Sequence, residues 1–175
     1  MSRLKTCCHF IGLCALGFAA NAEMHVHGQG QLLLAQDGEK WQLEFILPAA
    51  DVLGFEHEPE TPEQVRQLKT VAQRFTQIES IIHLNGDCKL EHGDYELPYQ
   101  DHHEKGEHDE SHSNEAREHN DIEVTYLFDC GSPVTEVRIQ VFNWATSLER
   151  INAKWFHDKG QGMAQVTPQQ PLLAW

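Results

Sequence analysis

Positive charge is scarce in this sequence: 13 Lys and Arg stand against 27 Asp and Glu, for a formal charge of −14. Two of the 13, Arg3 and Lys5, fall in residues 1–22, which hold no acid, so the remainder keeps 11 basic residues against 27 acidic ones and a formal charge of −16. Such a chain has no electrostatic hold on nucleic acid or on anionic membrane surfaces, and its field draws cations instead. Long apolar runs are as scarce. Cys7 to Ala20 is too short to span a bilayer comfortably. With the basic start before it and Ala20-Asn21-Ala22 after it, the segment reads as an export signal, residues 1–22, cleaved before Glu23, rather than as a membrane anchor. Leu13 is too bulky beside Cys14 for lipidation. No second apolar run follows, so the product is expected to be soluble, with no membrane insertion after cleavage.

Cysteine is equally sparse once Cys7, Cys8 and Cys14 leave with the signal. Cys88 and Cys130 remain, an even pair in an oxidising compartment, and read as a disulfide. The alternative is a pair of thiolate metal ligands. Nucleophile motifs, oxyanion loops and internal repeats are missing as well, which leaves hydrolytic chemistry without a second catalytic set.

What is present is a β pattern interrupted once by a helix. Gln31–Gln36, an Asp37-Gly38 turn and Lys40–Leu47 form a hairpin. In its second strand Trp41, Leu43, Phe45 and Leu47 alternate onto one buried face. Residues 49–59 are irregular or a short helical turn. Thr61-Pro62-Glu63-Gln64 is a helix start with a capping Thr, Pro at the first position and Gln at the third. Val65, Leu68, Ala72 and Phe75, flanked by Val71 and Ile78, continue it as an apolar stripe toward an end near 77–82. Strands are then expected over 87–97, 122–130, 135–142, 151–156 and 161–167, the second alternating through Ile122, Val124, Tyr126, Phe128 and Cys130. The expected fold is α+β: a mostly antiparallel β-sheet or sandwich with one main helix, built as a single domain over residues 23–175.

Residues 101–120 break this pattern. Their only apolar member is Ala116, and His102, His103, His108, His112 and His119 are interleaved with seven Asp and Glu. A segment so poor in apolar surface is expected to be a flexible insertion. Imidazole is the commonest protein ligand for zinc, with carboxylate oxygen a harder auxiliary, so the tract reads as several weak, exchanging sites rather than a solvated linker. His108-Asp109-Glu110-Ser111-His112 is not a zinc-peptidase motif, because the acid sits one position late and Gly106 and Ser111 disfavour the helix. A second constellation opens the mature chain. In His25-Val26-His27-Gly28, alternate strand residues can present two imidazoles to one ion. His57 is a further ligand candidate, and Glu56 or a tract histidine could fill a fourth position. His83, His92 and His157 read as structural or surface residues.

His25-Val26-His27-Gly28 before a strand, the Asp-Gly turn, Gly54-Phe55-Glu56-His57 and Pro59, and Thr61-Pro62-Glu63-Gln64 together resemble the ZrgA-like family of zinc-regulated periplasmic proteins of Gram-negative bacteria. The likeness runs over nearly the whole mature chain, including the cysteine pair and a His-rich insertion. It implies a non-enzymatic, periplasmic accessory to high-affinity zinc uptake, working beside a zinc ABC importer and that importer's solute-binding protein. Two other readings stand beside it. One is a metal-dependent hydrolase using His25, His27 and His57 with Glu56 as base, which would need an open coordination position and a cleft. The other is a module whose histidines sense pH, since imidazole titrates near about 6.5. Imidazole also accepts nickel and copper, so metal preference stays open.

Overall fold

The computed structural model describes residues 26–99 and 121–175. The export signal, His25 and the tract 101–120 with its five histidines lie outside those residues. The chain opens with the expected hairpin: β1 (Gln29–Asp37) pairs antiparallel with β2 (Lys40–Pro48), from Gln31 opposite Ile46 to Asp37 opposite Lys40. Trp41, Leu43, Phe45 and Leu47 are buried along β2 while Gln42 faces out, as the period of two requires.

Pro48 ends the strand and α1 (Ala49–Leu53) follows, closed by Gly54 in the left-handed conformation. The main helix, α2 (Pro62–Phe75), starts at the expected capping box: the Gln64 N–H donates to Thr61 Oγ1 at 3.2 Å, and the Thr61 N–H donates to Gln64 Oε1 at 3.1 Å. Its buried stripe is Leu68, Val71 and Phe75, with Ala72 half-buried against the same core. Val65, expected in the stripe, is 38 % exposed, the buried positions beginning at Leu68 and running to Phe75. The helix also stops at Phe75, short of 77–82. A 3-10 turn (Ile78–Ser80) takes over and β3 (Ile82–Leu84) begins.

β4 (Cys88–Glu96) and β5 (Asp121–Cys130) form the hairpin that brackets the tract, paired from Cys88 opposite Cys130 to Glu96 opposite Glu123. Ile122, Val124, Tyr126, Phe128 and Cys130 are buried on one face. The strand expected over 135–142 is shorter: β6 (Glu136–Ile139) gives way to a 3-10 turn at Val141–Asn143. β7 (Arg150–His157), β8 (Gly160–Val166) and β9 (Leu172–Ala174) complete the order.

Two sheets result. The larger runs β4-β5-β2-β1-β7-β8 and the smaller β3-β6-β9. Among the described residues, all pairings between strands are antiparallel except β1 with β7, which runs parallel from Gln29 opposite Arg150 to Ala35 opposite Phe156. One buried apolar cluster draws side chains from both sheets and from α1 and α2. At the β1–β2 turn end of the large sheet, Cys88 and Cys130 form the disulfide. Trp41, Trp155, His157 and Trp175 stack at that same end, with ring centroids 5.4–6.4 Å apart. His157 is therefore structural, as expected, while His83 and His92 are exposed.

Candidate functional site

The opposite end of the large sheet gathers the N-terminal histidine block and the segment after β2. β1 begins there, β2 ends there, and Gly28 makes the entry to β1. Gly28 has φ of 74°, a left-handed backbone that suits glycine, and a Cβ would approach Glu149 Cγ at 3.0 Å. Its carbonyl accepts from the N–H groups of Glu149 and Arg150 at 2.8 and 3.0 Å. Its own N–H donates to Asp51 Oδ2 at 2.6 Å. Gln29 Oε1 accepts from the Arg150 guanidinium, through Nε at 3.1 Å and NH2 at 2.9 Å. The position of His27 is thus set by backbone bonds to two distant parts of the chain.

That placement brings His27 Nε2 to 3.6 Å from Glu56 Oε1, with both side chains largely exposed. Two ligand atoms bound to one tetrahedral zinc at 2.0–2.1 Å lie about 3.3 Å apart, so this pair has close to the span one ion needs. The nitrogen and oxygen donors are also of the kinds that zinc accepts. Asp51 lies just beneath and is buried, at 8 % exposure. Burial pushes its carboxyl above the ordinary carboxylate range, opposed by the Gly28 N–H and by His27, and reinforced by Glu56 and Glu149. Sequence reading missed Asp51. The signal was there: one acid flanked by Ala49, Ala50, Val52 and Leu53 is an acid about to be buried.

His57 faces elsewhere. Its Nδ1 lies 2.8 Å from the Glu58 carbonyl, its Nε2 lies 3.4 Å from Gln64 Nε2, and its ring packs 5.7 Å from Phe55. Among the described residues no group of three or more His, Cys, Asp and Glu side chains lies close enough to hold a metal. The described edge therefore supplies two donors where a tetrahedral ion takes four. Tyr99, in the left-handed region at φ 66°, ties the departing end of β4 to this edge by donating its hydroxyl to the Glu56 carbonyl. Asp121, where the chain re-enters at β5, sits opposite Pro48 at the end of β2. Tyr99 and Asp121, the described residues on either side of 100–120, thus both lie at the sheet end that carries His27 and Glu56.

One concavity, of about 590 Å³, sits beside Trp41, Trp155 and Trp175 at the far end of the sheet. Another, of about 780 Å³, lies on the outer face of the sheet and runs from Val26, Gln29, Pro48 and Asp121 at the His27 end to Lys154 and Met163. Among the described residues no helix is long and apolar enough to cross a membrane.

No curated protein matches the chain. The model of the ZrgA family of zinc uptake proteins matches residues 24–175, a span that takes in His27, Asp51, Glu56, His57, both cysteines and every strand and helix described. The chain belongs to the ZrgA family of zinc uptake proteins, and its role lies in zinc uptake.

Proposed function

We propose that this is a periplasmic zinc-binding protein that captures the ion through imidazole and carboxylate donors and buffers or delivers it to the uptake machinery, without catalysing a reaction. The observation that carries the reading is the 3.6 Å approach of His27 to Glu56, at the sheet end where Tyr99 and Asp121 also lie. On this reading His102, His103, His108, His112 and His119 load zinc weakly, drawn by the −16 field of the mature chain, and the folded edge holds one ion more tightly. His25, two residues before His27, and His57, next to Glu56, complete the tight set. His57 joins by leaving the Glu58 carbonyl and Gln64 and rotating toward the ion. The export signal ends at Ala22, the mature chain folds as one domain, and the receiver is the zinc ABC importer or its solute-binding protein.

Equilibrium dialysis of the mature chain against zinc at neutral pH tests this directly. Several ions should bind, one more tightly than the rest. His27→Ala and Glu56→Ala should each remove the tight class and leave the weak one. His57→Ala should do the same. Tight binding that survives both His27→Ala and Glu56→Ala would place the folded site elsewhere and overturn the assignment. Nickel and copper in parallel cells establish which metal the donors prefer.

A further inference from the structure

The two edges of the large sheet are built differently. β4 carries Lys89, Glu91, Asp94 and Glu96 and a register shift between Leu90 and His92. Charge and bulges are how natural sheets keep an edge from pairing with another chain. β8 has none of this: Gly160-Gln161-Gly162-Met163-Ala164-Gln165-Val166 holds no charge, no proline and no bulge against its single described neighbour, β7. Its glycine at 162 is explained internally, since a Cβ there would sit 2.3 Å from the Trp155 ring. Met163 is not. It is 75 % exposed, the highest value among the exposed large apolar residues described, and it lies in the centre of the strand.

We infer that β8 pairs antiparallel with β8 of a second copy of this chain about a two-fold axis at Met163. The strand is symmetric for that purpose. Self-pairing centred on Met163 sets Met163 against its copy, Gly162 against Ala164, and Gln161 against Gln165. The central cross-strand pairs are then small with small, amide with amide, or thioether with thioether, Gly160 meets Val166 at the ends, and no like charges face each other. A closed isologous contact of this kind uses the same patch on both copies and leaves no edge to propagate. The two six-stranded sheets become one, with the concavities lined by Met163 and Lys154 side by side across the seam. A single seven-residue strand pair is a small interface, so the association is reversible. Each mature chain carries −16, so the dimer strengthens as added salt screens that repulsion.

Sedimentation velocity of the mature chain from micromolar to millimolar concentration, at low and high salt, should show one chain converting to two. Met163→Lys, which sets two ammonium groups opposite each other on an exposed position, should weaken the dimer by tenfold or more, and Met163→Leu should restore it. Met163→Cys should crosslink to a covalent dimer under mild oxidation, since Cys88 and Cys130 are already joined. Phe156→Cys, one strand further in and 48 % exposed, should not. A chain that stays monomeric throughout overturns the proposal. So does a dimer indifferent to Met163→Lys, or equal crosslinking from positions 163 and 156.

Discussion

The amide of Gly28 donates to the buried carboxylate of Asp51 across 2.6 Å, and through that one bond the turn carrying His27 is fastened to the short helix that precedes Glu56. The two halves of the candidate site, 29 residues apart in the chain at His27 and Glu56, share a single internal brace. Asp51→Ala would leave the Gly28 N–H without its acceptor and should cost about 1–3 kcal/mol in urea denaturation. Asp51→Asn keeps an acceptor oxygen and removes the repulsion from Glu56 and Glu149, so it should retain most of the stability. Equal losses in both variants would show that the charge, not the acceptor, braces the turn.

Tyr126 makes a second test, in alkaline solution. Its ring is buried and its hydroxyl donates to the Phe75 carbonyl at 2.7 Å, at the end of α2. Burial raises the phenol above its ordinary value of 10.0. A folded group that holds its proton more firmly than the unfolded chain contributes stability fully below the unfolded value. That contribution is lost progressively as pH rises above about 10 toward the raised folded value. Thermal melts from pH 8 to 11 should therefore fall more steeply for the wild type than for Tyr126→Phe. At neutral pH the variant should be about 1 kcal/mol less stable, because the Phe75 carbonyl loses its partner.

The disulfide closes a loop with a sequence separation of 42. In the chain-entropy account this contributes about 4 kcal/mol. The double variant Cys88→Ala with Cys130→Ala should lose stability on that order in denaturant. Alkylation of the protein under non-reducing conditions before mass spectrometry should modify neither Cys88 nor Cys130. Two alkylated thiols would return Cys88 and Cys130 to the pool of possible metal ligands.

Deleting residues 101–120 should lower zinc stoichiometry while sparing the tight site. β4 and β5 remain paired from Cys88–Cys130 to Glu96–Glu123 without that segment, so the melting temperature should change little. Unchanged stoichiometry would make the tract a linker.

The strands whose faces differ most in polarity were legible in the sequence. The alternation along Lys40–Leu47 and Ile122–Cys130 maps onto buried faces, and Thr61-Pro62-Glu63-Gln64 forms the expected capping box. The three-residue strands Ile82–Leu84 and Leu172–Ala174 carry too few residues to show any period, so two of the smaller sheet's three strands were invisible and only Glu136–Ile139 was foreseen. Neighbour choice was invisible too: nothing local in Gln29–Asp37 says that its second partner is Arg150–His157, running parallel. At the site, His27 and Glu56 meet because two distant loops share an edge. His57, adjacent to Glu56, turns to Glu58 and Gln64, since neighbouring side chains on an irregular segment diverge.

The lone parallel pair has a kinetic consequence. β1 finds β2 within a tight hairpin, but its other flank waits for a strand some 120 residues later, with Gln29 meeting Arg150. Closing so long a span is slow compared with forming hairpins. The same late step supplies the Glu149 and Arg150 amides that hold the Gly28 carbonyl. The chain therefore finishes the turn beneath His27 late in folding, and a nascent chain released before Arg150 has only the Asp51 brace to hold that histidine in place.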